Sequence, residues 1–199
     1  MTPLRTYVFL CSIWMMSSAW LAANTFTHVV IDPGHGGKDK GAIWGGVRES
    51  DLNLKVAHKV ANLLRAHGIP VTMTRSSDQW VSLTRRASIS NRYRNTLFVS
   101  IHFNASTHTY VRGVETYYAS ANGRRLAESI QSQMVQTLGL KNRKTRLGGQ
   151  YAVLNKTSCT AVLVECGYIS NYSERKKCKR SWYQSLAASA ITSGILAYR

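Results

Sequence analysis

Short apolar, β-branched runs alternate along this chain with segments of helical periodicity, and this alternation constrains the fold more than any other feature. Six runs have the length and composition of strands, at 28–32, 70–74, 97–101, 114–119, 151–154 and 161–164. Amphipathic segments near 50–66, 82–93, 123–138 and 183–198 predict helices. Such alternation is typical of βαβ crossovers. The sequence therefore predicts an α/β fold with a mixed, mostly parallel sheet of about six strands and helices on both faces.

The first 27 residues differ in composition from the rest of the chain. Arg5 is their only charged residue, an apolar run follows it, and Ala22 and Ala23 supply small side chains. This pattern predicts a secretory signal peptide over 1–27. An uncleaved membrane anchor is the alternative, because residues 7–23 reach the lower length limit for a bilayer span. Either reading predicts that residues 28–199 form one domain outside the cytoplasm, in the periplasm, in the cell wall or secreted.

The chain is strongly basic, with 26 Lys+Arg against 9 Asp+Glu and a formal charge of +17. Because 44% of its residues are hydrophobic, it is not a disordered basic tail. The charge indicates a polyanionic partner, which by charge alone is nucleic acid, an anionic membrane or a cell-wall polymer. We predict no nucleic-acid binding, since the chain lacks the aromatic strand motifs of RNA readers and carries an export segment. Basic residues cluster at Lys141, Arg143, Lys144, Arg146, Arg175, Lys176, Lys177, Lys179 and Arg180, where we expect solvated loops and helix ends.

Outside the export segment the chain has three cysteines, Cys159, Cys166 and Cys178. An odd number cannot be fully paired, and their spacing matches no zinc finger. We interpret them as packing or unpaired thiols, and a Cys166–Cys178 bond stays open.

Candidate catalytic side chains follow the predicted strands. Ligands of open α/β sheets bind at the carboxyl ends of the strands, where this chain places His35, His102 and Glu165. Glu49 begins the first helix after a glycine-containing loop that can bring it near His35. Two imidazoles and one carboxylate with an open fourth position match catalytic zinc. A second carboxylate can then carry a proton, so the set suits amide hydrolysis.

Each of these residues also has a plainer interpretation. His35 can be a turn histidine, His102 a half-buried core residue, and Glu49 a favourable charge at a helix N-terminus. Glu165 can pair with an arginine. The separations of 14, 53 and 63 positions fit no short zinc signature, so convergence in space is inferred. The other histidines, His28, His58, His67 and His108, are left out of the site.

Several sequence blocks together resemble a known family. They are VVIDPGHGG at 29–37, RESDLNL at 48–54, FVSIHFNA at 98–105, GVE at 113–115 and AVLVECGYISN at 161–171. In this order they resemble the zinc-dependent N-acetylmuramoyl-L-alanine amidases of the AmiC type, the Amidase_3 family. Lys40 and Tyr168 depart from the residues that are common in that family, proline and phenylalanine.

The resemblance implies a peptidoglycan hydrolase that cuts the amide between the lactyl group of N-acetylmuramic acid and the L-alanine of the stem peptide. His35, Glu49 and His102 match the ligands of one zinc ion per chain. Glu165 matches the catalytic glutamate, which takes a proton from the attacking water and returns it to the leaving amine. Asn104 and Glu115 lie in family motifs, with supporting or substrate-facing roles. The alternative is a catalytically silent wall-binding or regulatory module, although the three ligands and the catalytic glutamate are all present.

Division amidases of this type often carry a regulatory helix between the second histidine motif and the Gly-Val-Glu strand. Here only residues 103–112 separate His102 from Gly113. We therefore expect a site that is open without an obligatory activator, in a protein that acts as a monomer. The expected partners are peptidoglycan and, through the basic surface, anionic cell-envelope polymers.

Overall fold

The computed structural model describes residues 26–198. The chain forms the elements β1 (His28–Pro33), β2 (Ile43–Trp44), β3 (Val47–Arg48), α1 (Glu49–Ala66), β4 (Val71–Met73), α2 (Leu83–Ser90), β5 (Thr96–Asn104), β6 (Val114–Tyr118), α3 (Ala121–Leu138), β7 (Asn142–Leu147), α4 (Ala152–Asn155), β8 (Thr160–Tyr168), α5 (Tyr172–Cys178) and α6 (Ser181–Ala197).

A six-stranded sheet with the order β4-β1-β5-β8-β6-β7 organises these elements. The first four strands in this order are parallel, β6 runs antiparallel to β8, and β7 is parallel to β6. Strands β1, β5 and β8 therefore end at the same edge, and β6 and β7 begin there. This confirms the predicted mixed, mostly parallel α/β sheet.

Helices cover both faces of the sheet. Helices α1, α3 and α6 pack on one face, while α2 and α4 lie on the other. Side chains alternate between these faces along each strand. In β1, for example, Val29 and Ile31 belong to the core under α1 and α6, whereas Val30 packs with Phe98 and Leu163 on the opposite face.

Two sequence predictions about the sheet were wrong. Residues 151–154 are not a strand: α4 begins there, and Val153 and Leu154 are apolar because they cover Val30 and Phe98. Short apolar runs look alike in strands and buried helices. Conversely, the basic segment around Arg143 is strand β7, where solvated loop was expected. The second basic group does lie at helix ends, in the last turn of α5 and just after it.

The remaining predictions concern the cysteines and the export segment. Within residues 26–198, Cys159, Cys166 and Cys178 are free thiols, so the structure contains no Cys166–Cys178 bond. The predicted signal peptide lies outside the described residues except at its last two positions, where Phe26 is buried in the core. No helix within residues 26–198 has the length and apolar character that crossing a membrane requires.

Candidate active site

The loop after β1 holds His35 in an uncommon backbone conformation, with φ = 60°. Positive φ costs energy in residues other than glycine and persists only where the surroundings enforce it. Here two buried arginines bind the loop carbonyls. Arg86 donates to the carbonyls of Pro33 and His35 at 2.6 and 2.7 Å, and Arg75 donates to those of Pro33 and Gly34, both at 2.9 Å. The arginines therefore fix where the His35 ring points.

Glu49 is the first residue of α1, and the preceding loop folds back onto it. Its backbone N–H donates to the carbonyl of Ala42 at 2.9 Å, which satisfies one of the free donors of the helix start. The Ala42 N–H in turn donates to Glu49 Oε2 at 3.0 Å. Gly41 completes this turn at φ = 63°, where a Cβ would lie 2.5 Å from Glu49 Oε2. The loop is thus shaped around the carboxylate.

His102, near the end of β5, completes a three-residue cluster. Its Nδ1 lies 2.8 Å from Glu49 Oε1, and His35 Nε2 lies 3.2 Å from Glu49 Oε2. One ligand atom from each of the three residues falls within 4.8 Å of the others. The structure therefore brings together the three side chains that the sequence placed at separate strand and helix ends.

Charge distribution within the cluster favours an ionised carboxylate. Burial alone favours the neutral acid, but hydrogen bonds and attraction from His102 and His35 hold the pKa of Glu49 well below its usual range. For His35, burial opposes the charged ring, yet Glu49 and Asp39 outweigh it and raise the pKa. The cluster thus offers a charged carboxylate between two imidazoles.

Glu165 lies on β8 directly opposite His102 of β5. It is only 6% exposed, and its Oε2 has no hydrogen-bond partner among the described residues. Burial, followed by the charges of Glu49 and Glu115, raises the pKa of this carboxyl. A buried carboxyl without a partner is costly for stability and indicates a functional position. The alternative pairing of Glu165 with an arginine does not occur within residues 26–198.

A β-bulge follows Glu165 on β8. His102 and Asn104 on β5 face Glu165 and Tyr168, so β8 contains one extra residue between these pairs. Gly167 lies in the bulge with φ = 142°, a conformation that suits glycine alone. Bulges re-aim side chains near active sites.

The chemistry of the cluster fits a divalent metal. Two imidazole nitrogens and one carboxylate oxygen form a donor set that zinc prefers, and three protein ligands leave a fourth position for water or substrate. Glu165, the unpartnered carboxyl, lines the same cleft of about 880 Å³ as all three cluster residues. The arrangement can therefore hold a metal and present a proton acceptor beside it.

The structure adds residues that the sequence did not single out. Asp39 Oδ2 lies 2.8 Å from His35 Nδ1, which leaves His35 Nε2 facing the cluster. Asn53 donates to Glu49 Oε1 at 3.2 Å from the next turn of α1. A carboxylate behind a histidine ligand is a common support for metal sites. The spacing of Asp39, four residues after His35, was the available signal. Asn104, which the sequence did single out, donates to Glu115 Oε1 at 2.8 Å.

The fold and the site together define a single α/β domain with a candidate metal centre at the carboxyl edge of its parallel strands. Residues 29–197 match the Amidase_3 family model, described as N-acetylmuramoyl-L-alanine amidase. The chain belongs to this family.

Curated relatives and solved structures agree with this assignment. The chain is 38% identical over 174 residues to N-acetylmuramoyl-L-alanine amidase LytC of Bacillus subtilis, an alignment that covers 85% of this chain and 35% of that relative. The amidase AmiC2 of Nostoc punctiforme is 41% identical, with a TM-score of 0.82 over 85% of this chain and 95% of that one. The CwlD amidase of Clostridioides difficile, solved in complex with the GerS lipoprotein, is 29% identical, with a TM-score of 0.83 over 86% and 98%. This chain thus spans about a third of LytC and nearly all of the two solved chains.

Proposed function

We propose that this domain hydrolyses the amide between the lactyl group of N-acetylmuramic acid and the L-alanine of the peptidoglycan stem, with one zinc ion as cofactor. The observation that carries the proposal is Glu165, a buried carboxyl with a free oxygen in the cleft that also contains the cluster of His35, Glu49 and His102. Membership of the amidase family supports the same reaction.

Three residues hold the metal in this proposal. Glu49 contributes a carboxylate that stays ionised between two histidines, and Asp39 orients the ring of His35 so that Nε2 is the ligand atom. Bound zinc supplies Lewis-acid polarisation of the scissile carbonyl and of water. Arg86 and Arg75 bind the loop that carries His35 and keep this ligand positioned before substrate binds.

Glu165 moves the proton. Its free Oε2 accepts a proton from the attacking water, and the same oxygen then donates this proton to the nitrogen of L-alanine as the amide breaks. One water is consumed, and a lactyl carboxyl and a free amine are formed. The dry surroundings of Glu165 suit this role because they allow the carboxyl to hold the proton between the two transfers.

The setting of the reaction is also part of the proposal. The segment before Phe26, whose side chain belongs to the domain core, acts as the export signal or as a membrane anchor, and the domain works outside the cytoplasm on the cell wall as a monomer. We propose that no activator is required, because residues 105–113 contain turns and no helix that would cover the cluster. CwlD differs in being solved with a lipoprotein bound.

A digestion of purified peptidoglycan tests the reaction. The protein should release free stem peptides, chelation should stop the release, and zinc should restore it. Glu165→Gln preserves the side-chain shape and should lower the rate by about 10²- to 10⁴-fold, whereas Glu128→Gln on the exposed face of α3 should not. Equal rates for both variants, activity that survives metal removal, or release of disaccharide-peptides would contradict the mechanism.

A second experiment measures how binding to the cell wall depends on salt. Attraction of the +17 chain to anionic envelope polymers is long-ranged and screened by salt. Sedimentation with wall sacculi should therefore decrease as NaCl rises from about 0.05 to 0.5 M, because the Debye length falls from above about 10 Å to roughly 4 Å over this range. Binding that does not change with salt would show that charge is not responsible.

A further inference from the structure

One histidine and two glutamates lie in one row across the sheet. His102 on β5 is paired with Glu165 on β8, and Glu165 is paired with Glu115 on β6. Paired residues on neighbouring strands point to the same face of a sheet. The row therefore runs from the metal cluster through the proton carrier to Glu115.

Strand β7 extends this row with two arginines. Its register against β6 shifts between Val114 and Thr116, and Lys144 takes a positive φ of 70° at the shift. This irregularity turns Arg143 and Arg146, three residues apart, toward the same carboxylate. The Nε atoms of Arg143 and Arg146 lie 3.7 and 3.1 Å from Glu115 Oε2.

Glu115 cannot satisfy both guanidinium groups. Its Oε1 already accepts hydrogen bonds from Asn104 and from the Tyr168 hydroxyl, at 2.8 and 2.5 Å. Among the described residues, nothing accepts a hydrogen bond from the terminal Nη atoms of either arginine, and the buried Arg143 Nε has no hydrogen-bond partner. Two positive charges thus share one carboxylate and keep donors free.

Further positive charge lies near Arg143. Arg112 and Lys141 line a small cavity together with Arg143, and Arg143 lies over the ring of Tyr168 at 5.2 Å. The surroundings differ on the other side of the row, toward β1, where the exposed Trp80 and Leu83 contribute apolar surface to the active-site cleft. Seen from Glu165, the side toward β7 is therefore basic, and the side toward α2 is apolar.

We propose that Arg143 and Arg146 form a subsite for a carboxylate on the peptide side of the scissile amide, held in place by Glu115. This inference rests on the proposed function. In peptidoglycan the sugar chain is uncharged and the stem peptide carries the carboxylates, so the stem lies toward β7 and the sugars toward Trp80. Two strand spacings, about 10 Å, separate β8 from β7. Two or three extended residues span about 7 to 10 Å, which brings the residue after L-alanine within reach of the arginines.

Two synthetic substrates test the subsite. N-acetylmuramoyl-L-alanyl-D-glutamate and its diamide have the same length and differ only in the charge of the two carboxyl groups. The measurement is the ratio of kcat/KM for the acid to kcat/KM for the diamide. This ratio does not depend on how much of a variant is correctly folded. The wild-type chain should prefer the acid about tenfold, mainly through KM, because a charged hydrogen bond formed on binding is kept throughout the reaction.

Variants assign this preference to the arginines. Arg143→Gln/Arg146→Gln should lower the ratio to about one, and Arg143→Lys should retain part of it, since lysine keeps the charge but loses the planar fork. Arg124→Gln removes one positive charge from the exposed surface of α3 and should leave the wild-type ratio. An unchanged ratio in the double variant, or a ratio near one in the wild-type chain, would overturn the subsite. Failure of the wild-type chain to cleave both compounds and whole peptidoglycan would instead reject the proposed function.

Discussion

Replacing Arg86 by methionine tests whether the loop that carries His35 depends on buried electrostatics. Arg86 Nη1 lies 2.7 Å from Asp32 Oδ1, with side-chain exposures of 3% and 1%. Nη1 also donates to the carbonyl of Pro33, while Nε and Nη2 donate to the carbonyls of Val81 and His35. Methionine has a comparable length but no donors, so Asp32 loses its cationic partner inside the protein.

The expected cost follows from what remains after the substitution. Asp32 keeps hydrogen bonds from the hydroxyls of Thr74 and Ser100, but its charge is no longer compensated. Removal of one partner from a buried ion pair costs about 3 to 5 kcal/mol. This is a large part of the roughly 5 to 15 kcal/mol by which a domain is stable. For a domain of this size it corresponds to a Tm about 6 to 20 °C lower.

Urea unfolding followed by circular dichroism measures this cost, and the chain provides a matched control. Arg124 and Glu128 form an ion pair of similar length, 2.8 Å, but both side chains are at least half exposed. Arg124→Met should therefore leave the free energy of unfolding unchanged within error. Equal effects of the two substitutions, or an Arg86→Met variant as stable as the parent, would refute the argument that burial makes the Arg86 pair important.

Three further predictions concern the metal site and a thiol. Asp39→Asn should weaken zinc affinity about 10- to 100-fold, measured by competition with a chromophoric chelator, because the ring of His35 loses its carboxylate support; unchanged affinity would rule this support out. Gly34→Ala should weaken zinc binding at least about tenfold, since its Cβ would lie 2.2 Å from the ring of His102, whereas Gly149→Ala, whose Cβ meets nothing within 4 Å, should not; similar affinities in both variants would contradict the clash. Burial raises the pKa of Cys159, so its thiolate fraction in the folded protein is low and alkylation by iodoacetamide should still accelerate above about pH 9. If the alkylation rate of the native protein levels off at the same pH as that of the urea-unfolded protein, the raised pKa is refuted.

Much of the fold was predictable because its strands are buried. Strands β1, β5 and β8 lie in the middle of the sheet with apolar side chains on both faces, so they read as continuous apolar runs. Strand β7 has no such signal. It is an edge strand of mainly polar and charged residues, joined to β6 by backbone hydrogen bonds that do not depend on side-chain type.

The candidate site also has a part that was predictable from the sequence and a part that was not. His35, His102 and Glu165 could be placed from the sequence because each follows or ends an apolar strand, and parallel strands carry their carboxyl ends to one edge. The contacts that support these residues could not be predicted from the sequence. Arg86 binds Asp32 across 54 positions of sequence, and no local pattern indicates which of 26 basic residues is buried.

The sequence alone thus determined the class of fold, the family resemblance and the residues proposed to act chemically. The type of each residue and the order of apolar and amphipathic segments along the chain can both be read without the tertiary structure. Only the tertiary structure decided how these residues are supported and what surrounds them. It left Glu165 Oε2 without a hydrogen-bond partner among residues 26–198 and put Asp39 behind His35. It also aligned Arg143 and Arg146 with the row of His102, Glu165 and Glu115 through an irregular strand pairing. Burial and charge compensation arise from contacts between distant segments, and these contacts exist only once the sheet and its helices have assembled.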